Sequence, residues 1–427
     1  MHIPYGTSEL IFDLEKTAYS FEVLESDSSR LNPLKDESEI VKDSLKAPIN
    51  SRKLSQLAMG KKNAVIIISD HTRPVPSKHI IPHMLEELRE GSPDIDITLL
   101  VATGFHRLST KGELVNKLGE EIVAKEKIVI HDCQDESMLV DVGVLPSGAR
   151  LIINKTAFDT ELLVSEGFIE PHFFAGFSGG RKSVLPGICS RTTVLGNHCA
   201  EFIGSPHARA GSLKGNPIHI DMEEACRLAK LQFIMNVIIN SKKQVISAFS
   251  GHPLDAHEKG AEVLLSQCLV KPNKKGDIVI VSNGGAPLDQ NVYQAVKGMT
   301  AAESAAKEDA VIIMCARCDD GSGGDDFYKA LRDCESAKSL LDEIMKTPMD
   351  ETEPDQWESQ ILARILSKHK VIFVSRPEMR EVIEDMKMTY STSIEDAVKK
   401  AIEIKGRDSH IVAIPDGVSV IVGNADK

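Results

Sequence analysis

Long hydrophobic runs are missing from this sequence: no stretch of the 427 residues approaches the roughly 20 apolar residues that span a bilayer. The start, MHIPYGTSELIFDL, lacks a basic segment followed by an apolar one, so no secretory leader is expected and a cytoplasmic protein is. Excess positive charge is missing too. With 50 Lys and Arg against 63 Asp and Glu, the net charge of −13 removes any default attraction to nucleic acid or an anionic membrane. A small anionic substrate would need locally placed cations. The eight cysteines show none of the regular spacing of a secreted disulfide scaffold, so reduced thiols are the simpler reading. Cys315 and Cys318 form a C-x-x-C pair behind the apolar run AVIIM, but no second pair or nearby histidine completes a tetrahedral metal site.

What is present is the composition of a soluble globular chain, 42% hydrophobic and 26% charged. Domains usually close at roughly 100–200 residues, so two are expected. Apolar runs alternate with amphipathic stretches, the signature of α/β domains with mainly parallel, Rossmann-like sheets. Strands are expected at AVIIIS from Ala64, ITLLVA from Ile97, ELLVS from Glu161, DIVIVS from Asp277, AVIIMC from Ala310, VIFVS from Val371 and IVAI from Ile411. Helices are expected at Ser77 to Glu90, Asp221 to Lys230, Leu254 to Gln267, Asn291 to Lys307, Asp355 to Ser367 and Ser393 to Ile404. The segment KPNKKGD, Lys271 to Asp277, reads as the boundary between residues 1–270 and 271–427. The last runs, IVAI and SVIVG, could return to either sheet.

In open α/β sheets, ligands gather beyond the carboxyl ends of the strands. Four such ends are unusual. AVIIIS is followed by Asp70-His71-Thr72-Arg73-Pro74, and ITLLVA by Thr103-Gly104-Phe105-His106-Arg107. ELLVS is followed by EGFIEPHFFAGFSGGRKSVLPG, Glu166 to Gly187, and DIVIVS by NGGAPLDQNVYQAVKG, Asn283 to Gly298. The third segment holds one histidine, one lysine and five glycines in 22 residues, which suits a binding loop rather than a regular element. Gly176, Gly179 and Gly180 would let backbone N–H groups approach an anion, with Arg181, Lys182 and Ser183 adding charge and donors. A Walker A loop needs glycine immediately before its lysine, where this chain has Arg181. A plain glycine-rich turn is the simplest alternative.

Lys182 could contact phosphate or act through its free amine as a nucleophile or attachment point. His198, in GNHCAEF, could be a ligand, a cap or a core residue. His106 and His172 each follow a strand by a few residues and are candidate acid/base groups. His71, between Asp70 and Thr72, is harder to dismiss than His2, His79, His83, His131, His207, His219, His252, His257, His369 and His410, which read as helix surface, turns or chain ends. Trp357, the only tryptophan, opens an apolar helical pattern with Ile361, Leu362 and Ile365 and reads as core.

With these residues in hand, the sequence resembles the lactate racemase family, the nickel-pincer-dependent 2-hydroxy-acid racemases, over nearly its whole length. SDHTRPVPS, VATGFHR, SEGFIEPHFFAGFSGGRKSVLPG, DQNVYQAVKGMTAAE and DQW carry the resemblance. It implies two α/β domains with the active site in the cleft between them. It also implies nickel bound to a pyridinium-3-thioamide-5-thiocarboxylic acid mononucleotide, the nickel-pincer nucleotide, tethered covalently to Lys182. His198 matches the family's nickel ligand, and His106 and His172 its alternating acid and base. Arg73, Tyr293, Gln294, Lys297 and Trp357 match its substrate contacts. Asp70, Thr72, Gly179 and Gly180 would help to seat the nucleotide. The implied partners are the small molecule lactate and the proteins that synthesise the cofactor and insert nickel.

The chemistry suits these residue types. Deprotonating lactate at Cα would place a carbanion beside a carboxylate, whereas removing the hydrogen as hydride leaves pyruvate, a stable planar ketone. Two imidazoles with intrinsic pKa values near 6.5 can take and return the hydroxyl proton of either enantiomer. Other readings stay open at this point: a racemase or epimerase of another small 2-hydroxy acid, a P-loop-like phosphoryl transferase built on GGRKS, or a non-catalytic carrier of the nickel nucleotide.

Overall fold

The computed structural model describes residues 1–13, 19–26 and 31–423. The chain divides into two compact units, one of residues 28–198 and 205–266, the other of residues 1–27, 199–204 and 267–427. Each is built on a six-stranded sheet.

In the first unit the strands run in the order Val245–Gly251, Leu231–Ile239, Leu163–Phe168, Asn63–Ser69, Asp96–Ala102, Lys127–Ile130. All neighbours are parallel except the Val245–Gly251 edge. Central parallel strands are covered on both faces, so they read as unbroken β-branched and aliphatic runs rather than alternating ones. Ile66, Ile67 and Ile68 are accordingly all fully buried. The chain first builds outward from Asn63–Ser69 through Asp96–Ala102, then returns to place Leu163–Phe168 on its other side. That reversal opens a crevice at the strands' carboxyl ends.

In the second unit the order is Thr389–Ser391, Lys370–Val374, Ala306–Cys315, Gly276–Ser282, His410–Ile414, Ser20–Val23, and every pairing is parallel. The amino-terminal residues therefore do not stay with the half that follows them. Ser20–Val23 pairs in register with His410–Ala413, and Ile3 and Phe12 pack into the core with Ile280. Both carboxy-terminal runs lie in this unit: IVAI within the sheet, and Ile421–Val422 paired with Leu269–Val270.

The strand and helix positions expected from periodicity coincide with observed elements, apart from the helix at Asp221, which begins earlier, at Pro217 behind an Asn216 cap. Leu231–Ile239, a buried strand next to Leu163–Phe168, was not among the expected strands. Its run LQFIMNVII carries no alternation to distinguish it from a buried helix.

Ile280 lies in the second unit's core and is fully buried. Ile280→Ala should cost about 2–5 kcal/mol. Urea unfolding followed through Trp357, the sole tryptophan and a member of the same unit, measures it. A loss below about 1 kcal/mol would contradict this packing.

Candidate active site

Parallel strands deliver their following loops to one edge, so three of the four unusual segments meet at the carboxyl edge of the first unit's sheet. At the end of Asn63–Ser69 the chain turns at Asp70, which is 1% exposed. Its Oδ2 accepts a hydrogen bond from His106 Nδ1 at 2.7 Å, and its Oδ1 accepts from the Thr72 hydroxyl at 2.7 Å. Burial pushes the Asp70 carboxyl up, but the His106 bond and charge, the Thr72 hydroxyl and the Arg73 guanidinium together hold it below its ordinary value. A carboxylate at Nδ1 settles the tautomer: the neutral ring keeps its proton on Nδ1 and its lone pair on Nε2. The His106 side chain is 38% exposed, so that nitrogen can reach a ligand. Arg73 is also exposed. His71 instead turns to Ser109 Oγ at 3.0 Å.

The loop after Leu163–Phe168 makes a short hairpin, Pro171–His172 against Gly176–Phe177, and then a 3-10 turn at Gly180–Ser183. Arg181 is fully buried beneath it. Its guanidinium donates to the carbonyls of Ala175 (2.7 Å) and Gly179 (3.3 Å) and to His219 Nδ1 (2.9 Å), and Nη1 lies 2.8 Å from His257 Nε2. Burial lowers this guanidinium to about 10, so it remains a cation at neutral pH. The glycines serve the same framework. Gly180, at φ +52°, donates its N–H to Asn236 Oδ1 at 2.6 Å, and a Cβ there would meet the His257 ring at 2.7 Å. A Cβ on Gly179, at φ +76°, would meet Asn236 Oδ1 and the Phe168 carbonyl at 2.7 Å. The Ser183 hydroxyl donates to Gly180 O. Gly180, Arg181 and Ser183 thus have local structural partners rather than forming an open anion cradle.

Lys182, next to Arg181, faces the opposite set of neighbours. Its Nζ is 3.3 Å from His172 Nε2 and 5.8 Å from the centroid of Phe174. The Ala175 N–H donates to His172 Nδ1 at 3.2 Å, which places the ring proton on Nε2, toward the lysine. Phe174 also meets the His198 ring edge to face at 5.3 Å. His198 donates through Nδ1 to the Val194 carbonyl at 2.9 Å, which leaves Nε2 as its unprotonated nitrogen. Burial, reinforced by the Lys182 charge, lowers His198 to about 3, so the ring is neutral and chemically suited to a metal. Lys182 and His198 therefore border one aromatic ring, that of Phe174.

In the second unit Asn283, fully buried, shapes the loop after Gly276–Ser282. It donates to the carbonyls of Leu288 (2.7 Å) and Gln294 (2.6 Å) and accepts from the Gly298 N–H (3.0 Å). Asn291 caps the helix Val292–Ala305 by accepting from the Gln294 N–H. On that helix Lys297 Nζ donates to Gln294 Oε1 at 2.6 Å. The Tyr293 hydroxyl donates to Asp355 Oδ1 at 2.9 Å and lies 3.2 Å from Trp357 Nε1, which donates to it. Trp357 is half-buried with a polar partner, not the pure core residue its periodicity suggested. Tyr293, Gln294, Lys297 and Trp357, which the sequence links only by resemblance, thus belong to one cluster.

Sequence reasoning missed several residues. Asp355, left-handed at φ +62°, anchors Tyr293, and Glu358 is fully buried with neither carboxyl oxygen hydrogen-bonded. His131, His219, His257, His369 and His410 are buried, a correction to the surface, turn and chain-end reading. Burial in parallel α/β layers hides them, and no local pattern marks it. Cys315 and Cys318 are buried thiols, and no group of three or more metal-ligating side chains occurs among the described residues. No described helix is long and apolar enough to cross a membrane.

A carboxylate-anchored imidazole, a second imidazole against a lysine, and a buried histidine with an unprotonated nitrogen are all carried by a parallel α/β scaffold, whose strand ends collect ionisable side chains as in an α/β enzyme. Residues 5–211 match the family model of the lactate racemase N-terminal domain, and residues 271–422 that of the C-terminal domain. The chain belongs to the lactate racemase family. It is 50% identical over 422 residues to the lactate racemase of Thermoanaerobacterium thermosaccharolyticum, covering 99% of both chains. It is also 50% identical over 420 residues to that of Lactiplantibacillus plantarum, covering 98% of this chain and 99% of the relative. The structure of the T. thermosaccharolyticum lactate racemase apoprotein superposes with a TM-score of 0.94 at 49% identity, covering 99% of both chains. A Thermotoga maritima protein, at 20% identity and a TM-score of 0.64 over 92% of this chain and 99% of its own, shares the fold.

Gly180→Ala should destabilise the protein by about 1–3 kcal/mol, since the new methyl is both strained and obstructed by His257. Thermal melting measures this, and an unchanged Tm would show that the loop is not held as described.

Proposed function

We propose that this enzyme, an isomerase, interconverts D- and L-lactate by moving hydride and proton separately, with pyruvate as the intermediate. The observation that carries the reading is the grouping of Lys182 and His198 about Phe174, with His172 against the lysine. Those residues fit a nickel-pincer nucleotide: Lys182 offers an amine for a covalent tether, and His198 an unprotonated Nε2 for nickel. Bound there, the cofactor would supply an electrophilic carbon that accepts and returns the hydride. Asp70 and Thr72 would help to seat it, with Gly179 and Gly180 setting the shape of the loop.

His106 and His172 serve as the paired proton carriers. Asp70 orients His106 with Nε2 as its base and stabilises the imidazolium that forms when the lactate hydroxyl gives up its proton. His172 needs one adjustment, because its ring proton sits on Nε2 while Ala175 donates to Nδ1. That bond is long at 3.2 Å, and giving it up costs about 1 kcal/mol. Arg73 and Lys297 bind the substrate carboxylate, and Tyr293, Gln294 and Trp357 complete the substrate contacts. The enzyme is cytoplasmic in this reading and depends on proteins that synthesise the nucleotide and insert nickel. Another small 2-hydroxy acid would use the same groups. A phosphoryl transferase has little support, since the Gly180 N–H is taken by Asn236 and Arg181 is buried. A pure carrier would not require the His106–Asp70 pair.

His106→Ala and His172→Ala should each reduce racemisation about 10²–10⁴-fold in both directions, because a single equilibrium constant links the two rates. Polarimetry from each pure enantiomer tests this, and near-normal rates in both variants would reject the assignment. Protein produced with the cofactor-maturation proteins should carry added mass on the peptide containing Lys182 and stoichiometric nickel, with Lys182→Ala losing the adduct and His198→Ala losing metal. Unmodified, metal-free protein with full racemase activity would overturn the cofactor reading.

A further inference from the structure

Glu358 lies one residue beyond Trp357, in the first turn of the helix Gln356–Lys368. At the third helical position a glutamate commonly reaches back to the free N–H of the capping residue. This one does not: it is fully buried, and both its oxygens lack a hydrogen-bond partner. A buried, unpaired carboxylate is too costly to persist where taking up a proton can neutralise it. The charges acting on it are identifiable. Lys297, across the helix pair, favours ionisation, while Asp355 at the start of its own helix opposes it. The ionised Glu358 would in turn act on the Tyr293 hydroxyl. Further along the same two helices, Glu303 is neutralised by Arg364 at 2.8 Å. The charged residues of the other packed elements, Ala200–Gly204, Ala306–Cys315, Asp325–Asp333 and Ala337–Ile344, are all solvent-exposed.

We propose that Glu358 is a positioning residue for substrate binding, a buried acid kept protonated so that it does not compete with the carboxylate of a 2-hydroxy acid for the Lys297 ammonium. The inference rests on the reading of Lys297 as a carboxylate contact. An ionised Glu358 would offer Lys297 an internal counter-ion and would repel the incoming anion. Protonated, it does neither. Desolvation carries Glu358 up to about 8, with Lys297 pulling down and Asp355 pushing up. Adding a substrate carboxylate beside Lys297 pushes the acid further the same way. Substrate therefore binds the protonated form, and affinity is fully present below the free enzyme's value and falls as pH rises through it.

The test compares loaded wild type and Glu358→Gln, the neutral isostere, from ~pH 6.5 to ~pH 9.5. Wild-type KM for lactate should rise by up to about tenfold per pH unit above ~8 while kcat changes much less, and the glutamine variant should keep its low KM across the range. Infrared difference spectra of wild type against Glu358→Gln at neutral pH should contain a protonated-carboxyl band, a readout that needs no activity and does not depend on how well the variant turns over. A flat wild-type KM, a parallel rise in the variant, or no such band overturns the proposal. Lys297→Met separates the two layers. A normal lactate KM in that variant refutes Lys297 as the carboxylate contact, and with it the stated purpose of Glu358, whatever the infrared band shows.

Discussion

The buried guanidinium of Arg181 is the constraint around which the first unit's site is arranged. A fully desolvated cation survives only if its donors are met, and here two loop carbonyls and two histidines from other elements surround it. Removing one acceptor leaves a buried donor of the cation unmet, a loss of about 1.5–3 kcal/mol, so the loop has no low-cost alternative path. Gly179 and Gly180 turn tightly because Asn236 and His257 leave no room for a side chain. Held in this way, the chain must send Lys182 to the other side, toward His172 and Phe174. Lys182 thus gains a defined place from the buried arginine before it.

The same logic of settled protons runs through the remaining groups. Asp70 determines which His106 nitrogen is basic, and the Val194 carbonyl does the same for His198. Burial keeps His198 neutral, which a metal ligand requires and a surface histidine near neutral pH would not guarantee. In the second unit, Tyr293 is held by Asp355 and Lys297 by Gln294, so both polar heads are fixed in orientation. The scaffold makes these placements repeatable, because parallel strands with buried aliphatic faces present their following loops at one edge.

Much of the fold was legible in the chain because parallel strands buried on both faces leave unbroken aliphatic runs, as at Ile66 to Ile68 and Ile278 to Val281. Leu231–Ile239 was harder, since a uniformly apolar stretch has no period to separate strand from helix. The placement of residues 1–27 was not readable at all. Ser20–Val23 pairs with a strand nearly four hundred positions away, His410 against Ser20, and nothing local to either segment encodes that contact. The loop rich in glycine was recognisable as special, but composition cannot tell a backbone opened for a ligand from one pressed against Asn236, as the Gly180 N–H is.

By itself, then, the sequence determined the α/β class, the strand ends where chemistry gathers, and the identities of His106, His172, Lys182 and His198 as residues to examine. Those features are local: they reside in periodicity, in turn-forming residues and in motifs a few positions long. Only the tertiary structure decided which groups face the ring nitrogens of His106 and His198, that Arg181 is a buried fastener, and that Glu358 is sealed without a hydrogen-bond partner. Protonation and desolvation depend on what surrounds a group in space, and those surroundings are assembled from segments far apart along the chain.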